Sequence, residues 1–101
     1  MPETFRVSFT MKAAGDLERV FEYIEKDSPA HAAKLIGRLL DAIDSLQILP
    51  HRNRPVKGAA PLGEQIRSIV VRPYLIRYSI NDSTGVVTIL SVRHGARRPE
   101  G

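Results

Sequence analysis

A chain of 101 residues, 43% hydrophobic and 26% charged, has the balance of a single folded domain over 1–101 with one modest core, and not of a disordered segment. The absence of cysteine removes disulfides, thiolate nucleophiles and thiolate metal sites together, and no metal or cofactor is expected. Charge is sorted along the chain: Met1 to Pro50 holds six basic against eight acidic residues, net −2, whereas the rest holds nine against three, net +6, which points to an acidic or polyanionic partner met by one face.

Phe5, Val7 and Phe9 alternate with Arg6, Ser8 and Thr10, a period-two pattern that predicts a short strand with one buried face. Thr10 then caps a helix on which Leu17, Val20, Phe21 and Ile24 recur at helical spacing. Glu18, Glu22, Glu25 and Lys26 take its opposite side, with Glu22 and Lys26 spaced for an ion pair. Gly15 weakens the first turns, which predicts close packing against a neighbour there. The helix stops near Asp27, and Ser28-Pro29 restarts one, serine as N-cap and proline at the first helical position. This second helix carries Ala32, Leu35, Ile36, Leu39, Leu40, Ile43 and Leu46 and runs to Pro50. Two amphipathic helices joined so tightly must lie antiparallel, with a sheet covering their apolar stripe.

From His51 to Gly63 a basic loop with Pro55, Gly58 and Pro61 is long enough to be mobile. Ile66 to Val71, Tyr74 to Ile80 and Val86 to Val92 are β-branched and aromatic runs separated by Arg72-Pro73 and by Asn81 to Gly85, a three-strand meander. The order β-α-α-β-β-β is that of one α+β domain, an antiparallel helix hairpin on a mainly antiparallel four-stranded sheet. The amino end has no apolar leader and no run approaches the ~20 apolar residues of a membrane span, so a soluble cytoplasmic protein is expected. The last strand feeds Arg93, His94, Arg97 and Arg98 to one sheet edge, an arrangement suited to holding an anion.

The ordered set Asp16-Leu17, Tyr23-Ile24, Ser28-Pro29-Ala30, Arg54-Pro55, Ile66-Arg67, Tyr74-Leu75-Ile76-Arg77-Tyr78 and Val92-Arg93-His94-Gly95-Ala96-Arg97 resembles the RelE/ParE superfamily of bacterial type II toxins, closer to ParE, over nearly the whole chain. The resemblance implies a microbial-RNase-like fold, a growth-inhibiting activity, and a cognate antitoxin that neutralises it by direct binding in a hetero-oligomer. Two activities live on that fold. Toxins similar to ParE poison DNA gyrase; toxins similar to RelE cleave mRNA within the ribosome.

Cleavage without a metal needs a general base, a general acid and cations for the phosphorane. Arg67, Arg77 and Arg93 are the cations expected to converge across neighbouring strands, and His94 is the candidate base. The same residues admit plainer roles: Arg77 solvated or paired with Asp82, Arg67 paired with Glu64, His94 bonded to backbone, Tyr74 and Tyr78 in the core. The tyrosine that closes RelE-like sites near the carboxy terminus has no counterpart after Tyr78. The balance favours a gyrase-binding toxin with Arg93, His94, Arg97 and Arg98 as its contact surface, the ribosome-dependent endonuclease being the alternative. A nontoxic nucleic-acid-binding module is a third class, though both helices are acidic outside and neither suits a groove. For the antitoxin, an acidic amphipathic segment is expected to lay apolar anchors on Leu17 and Phe21 and either to bury Arg77 or Arg93 or to block access to the carboxy-terminal tail.

Overall fold

The computed structural model describes residues 4–56 and 65–95. Strand β1 (Arg6–Phe9) leads into helix α1 (Met11–Glu25), a tight turn and helix α2 (Pro29–Asp44). Short 3-10 turns at Ser45–Gln47 and Pro50–Arg52 and a two-residue strand β2 (Arg54–Pro55) precede β3 (Gln65–Val71), β4 (Tyr74–Asn81) and β5 (Val86–His94). The sheet order is β1-β5-β4-β3-β2. β1 lies parallel to β5 and every other pair is antiparallel, so the expected four-stranded arrangement is present, with β2 added at the β3 edge inside what the sequence predicts as loop. Among the described residues no helix is long and apolar enough to cross a membrane.

Both predicted caps form. Thr10 Oγ1 accepts the Ala13 N–H at 3.0 Å and Ser28 Oγ accepts that of His31 at 3.2 Å, with Pro29 opening α2. The second helix ends earlier than its apolar spacing predicts, because after Asp44 the chain tightens into a 3-10 turn and Leu49 enters the left-handed region at φ 54°. Leu46 stays in the core from that turn. Three local expectations fail. Phe9 is 42% exposed, so the buried face of β1 reduces to part of Val7, with Phe5 buried just ahead of the strand. A methyl group on Gly15 would meet only the Arg19 guanidinium, at 3.5 Å, and no neighbour requires the glycine. Glu22 and Lys26 form no ion pair among the described residues.

The core lies between the hairpin and the sheet. Leu35, Leu39 and Ile43 of α2 share one buried cluster with Ile76, Tyr78 and Ile80 of β4 and with Val87, Ile89 and Val92 of β5. In β4 the alternation of core side chains is regular, through Tyr74, Ile76, Tyr78 and Ile80. In β5 it is not: the buried positions run Val87, Ile89, then Val92, because Arg77 pairs with Ser91 while Tyr78 pairs with Ile89, leaving Leu90 without an opposite. This β-bulge reverses which side of the sheet each later side chain faces. Val92 and His94 therefore point to the helices, and Arg93 points away from them beside Leu75 and Arg77.

β1 pairs with β5 only from Val86 to Ile89, and α1 takes over the rest of that edge. Thr10 N–H donates to Ile89 O at 3.0 Å, Thr10 Oγ1 to Leu90 O at 3.3 Å, and the Asp16 carboxylate accepts the Val92 N–H at 2.9 Å. A helix carboxylate thus supplies the acceptor a neighbouring strand would have offered.

Candidate functional site

On the sheet face away from the helices, β4 and β5 hold Arg77 and Arg93 as diagonal neighbours, Arg77 opposite Ser91 and Leu75 opposite Arg93. With Lys12 from the first turn of α1 they line a depression of about 480 Å³, together with Ile66 and Val56. Arg77 Nε is buried there without a hydrogen-bond partner among the described residues. Asp82, the alternative partner, is occupied elsewhere: His51 Nε2 lies 2.9 Å from one of its oxygens and Gln65 donates to the other at 3.4 Å. Two of the three expected cations therefore share a face, and Lys12, not among the expected residues, joins them in lining the depression.

Arg67 does not join them. It stands opposite Tyr78 and so projects to the helix side, where it donates to Asn53 O at 2.7 Å and to Gln65 Oε1 at 2.8 Å. Tyr78 donates to Pro50 O at 2.6 Å and accepts from Asn53 Nδ2 at 3.0 Å. Together they pin the 50–53 segment to the sheet. Burial pushes the Tyr78 phenol up against the lowering pull of Asn53, Arg67 and Arg52, which keeps it neutral and in the core.

His94 faces the helix side as well, edge-on to Tyr74 with ring centres 5.3 Å apart and planes at 74°. It borders a second, larger cleft of about 730 Å³ between the hairpin, the Arg72-Pro73 turn and the end of β5. Four arginines line it, Arg19, Arg38, Arg72 and Arg93, the last reaching both depressions from the sheet end. Among the described residues its one carboxylate is Asp16, only 7% exposed, bonded to the Val92 N–H, to Lys12 at 2.9 Å and to Arg19 at 2.7 Å. Burial alone would raise this carboxyl; the Val92 N–H, Lys12 and Arg19 together outweigh it and hold the group below its ordinary value.

The sequence left Asp16 without a role, although a carboxylate flanked by buried Ala13 and Val20 with Lys12 and Arg19 one turn away is the signal that finds it. Leu17 and Phe21 lie elsewhere again, half-buried in a groove of about 470 Å³ with Ile36 and Leu40, rimmed by Glu18, Glu22 and Glu25. Those carboxylates would repel an acidic segment, and the sheet lies between this groove and Arg77, so the expected antitoxin residues do not form one surface. Arg97 and Arg98 fall outside the described residues.

Comparison with known proteins places this architecture. Residues 7–99 match the family described as ParE toxin of type II toxin-antitoxin system, parDE. Toxin RelE2 of Caulobacter vibrioides is 40% identical over 92 residues, 91% of this chain and 97% of that protein. The chromosomal ParDE TA system from P. aeruginosa contains a chain of the same fold, with TM-score 0.71, 19% identity, and coverage of 92% of this chain and 98% of that one. The archaeal RelE-RelB complex from Pyrococcus horikoshii OT3 contains another, with TM-score 0.66, 21% identity, and coverage of 93% and 98%. With its helix hairpin on a mixed sheet and a family match over nearly its whole length, the chain belongs to the ParE toxins of type II toxin–antitoxin systems, within the RelE/ParE superfamily.

Proposed function

We propose that this toxin acts by binding rather than by bond cleavage, that its target in the cytoplasm is DNA gyrase, and that a cognate antitoxin neutralises it in a hetero-oligomeric complex. The observation that carries the reading is the bulge at Leu90. It turns His94 to the helix side against Tyr74 while Arg77 stays on the outer face, and Arg67 is tied to Asn53. An RNA-cleaving centre needs base, acid and cations around one phosphate, and the described candidates are distributed over two sides of a sheet. Exposed arginines around the end of β5 suit a contact surface, since each planar fork engages phosphate or carboxylate through paired hydrogen bonds. The antitoxin is supported by solved relatives, which are toxin–antitoxin assemblies.

One feature favours the endonuclease as second reading: Lys12, Arg77 and Arg93 line one depression on the outer face, three cations that suit a phosphate. The two are separated with purified toxin. Gyrase poisoning predicts inhibited supercoiling or trapped cleaved plasmid, lost on neutralising Arg93, with translation intact. Message cut inside translating ribosomes, with gyrase unaffected and cleavage slowed about tenfold or more by Arg77→Ala, would replace the first reading by the second.

A further inference from the structure

We propose that the cleft between the helix hairpin and the end of β5 is a binding site for a free nucleoside polyphosphate, its phosphates on Arg38, Arg72 and Arg93 and its base against the rings at the hairpin end. Each helix contributes one stripe to the lining. Arg19 and Tyr23 stand one turn apart on α1, and His31, Leu35 and Arg38 are spaced for one side of α2.

The charge of the cleft is uncompensated. Arg38, Arg72 and Arg93 are exposed and form no ion pair among the described residues, and Arg38 Nη2 donates to Arg72 O at 3.3 Å, which sets those two residues side by side. Among the described residues the one carboxylate in the lining, Asp16, is already held by the Val92 N–H, Lys12 and Arg19. Asp41, which borders Arg38 and Arg72 on the outer side, pairs with neither. Guanidiniums beside an apolar floor of Ile24, Leu35 and Val92 focus a field that favours a compact polyanion, and their planar forks match phosphate oxygens in pairs.

The rings gather at the other end. Tyr23 is 71% exposed, and His31 is exposed in the first turn of α2. Tyr74 lies near enough to Tyr23 to feel its charge: burial first, and then Tyr23, pushes the Tyr74 phenol up and keeps it a neutral donor, with His94 edge-on to it. His31 and Arg38 are seven residues apart on one helix, about 10 Å along its axis, a reach that suits the base and the outer phosphates of one nucleotide. A volume of about 730 Å³ is that of a small-ligand site.

Inorganic polyphosphate or an acidic peptide would meet the arginines and leave the ring faces without a partner, whereas a base stacks on them. A nucleic-acid strand needs a succession of such rings. Among the described residues the only other exposed phenylalanine or tyrosine is Phe9, on β1 and outside the cleft, so a single nucleotide fits better than a strand.

The test titrates ATP, GTP and ring-free tripolyphosphate into the full chain by calorimetry in magnesium-free buffer, with thermal melts to verify that each variant is folded. Both nucleotides should bind one per chain and more tightly than tripolyphosphate. Arg38→Gln/Arg72→Gln should weaken all three ligands about tenfold or more. Tyr23→Ala should weaken the nucleotides about tenfold and leave tripolyphosphate unchanged, which separates stacking from charge. Lys26→Gln/Lys34→Gln removes the same charge outside the cleft and should leave nucleotide affinity unchanged. Nucleotides that do not bind, that bind no better than tripolyphosphate, or that are weakened equally by the lysine variant overturn the proposal. A glutamate-rich peptide that displaces ATP at equal concentration, or a thymidine hexanucleotide that binds more tightly than ATP through Arg38 and Arg72, overturns it in favour of an acidic peptide or of a strand.

Discussion

Replacing Asp16 by alanine and by asparagine separates two things its carboxylate does at the edge of β5: accepting the Val92 N–H and carrying charge between Lys12 and Arg19. The bond to Val92 is buried and charge-assisted, a class worth about 1.5–3 kcal/mol, and losing the acceptor orphans an N–H inside the fold. The two ion pairs add little, since the Lys12 and Arg19 side chains are 67% and 69% exposed, where such pairs contribute about 0–1 kcal/mol.

Asp16→Ala should therefore cost about 2–4 kcal/mol. Asp16→Asn, which keeps an oxygen in place, should cost about 1 kcal/mol. Urea denaturation reads both as shifts of midpoint at constant slope. The pH dependence follows from the lowered carboxyl. A group that titrates lower in the folded than in the unfolded state lets the unfolded chain bind the extra proton, so its stabilisation is complete above the ordinary aspartate value near ~4 and drains away as pH falls through the folded value. The native chain should thus lose its advantage over Asp16→Asn below about pH 4. An unchanged gap in acid, or a Val92 amide equally protected from hydrogen exchange in Asp16→Ala, would refute the assignment.

Tyr78→Phe removes the hydroxyl that donates to Pro50 O and accepts from Asn53, and should cost about 1–2 kcal/mol by thermal melt while leaving target binding unchanged. Arg67→Ala should lower stability by about 1 kcal/mol through the lost Asn53 bond; a loss of toxicity in a variant that remains folded would restore it to the functional set. Leu39→Ala, at a fully buried position in the middle of α2, should cost about 2–5 kcal/mol in denaturant.

Helices and meander were legible because their signals are local. Period-3.6 spacing, a serine followed by proline, and β-branched runs split by turn residues each act within a few residues. The side of the sheet taken by Arg67 was also readable: the two-residue turn at Arg72-Pro73 puts Val71 opposite Tyr74, and counting back puts Arg67 opposite Tyr78 on the buried side. The faces of Arg93 and His94 were not, since Leu90-Ser91 is equally compatible with regular pleating and only the ladder to β4 shows one residue unpaired. Asp16 and the place of Lys12 were missed for a related reason: Asp16 bonds to Val92, 76 residues on, and Lys12, held by Asp16, lines a depression completed by the same distant strand. The match to ParE toxins carries the class of the protein further than any of these local signals does.

Leu90 also behaves as a parity switch for comparing relatives. Sliding an alignment by a single place across this point exchanges an inward for an outward side chain in everything that follows, so an arginine matched to an arginine in the closing segment need not stand on the same surface. Toxins of this architecture can thereby acquire different contact chemistries through one insertion or deletion, with the hairpin and the core untouched. Which basic residues correspond between two members is decided by ladder geometry rather than by letter identity.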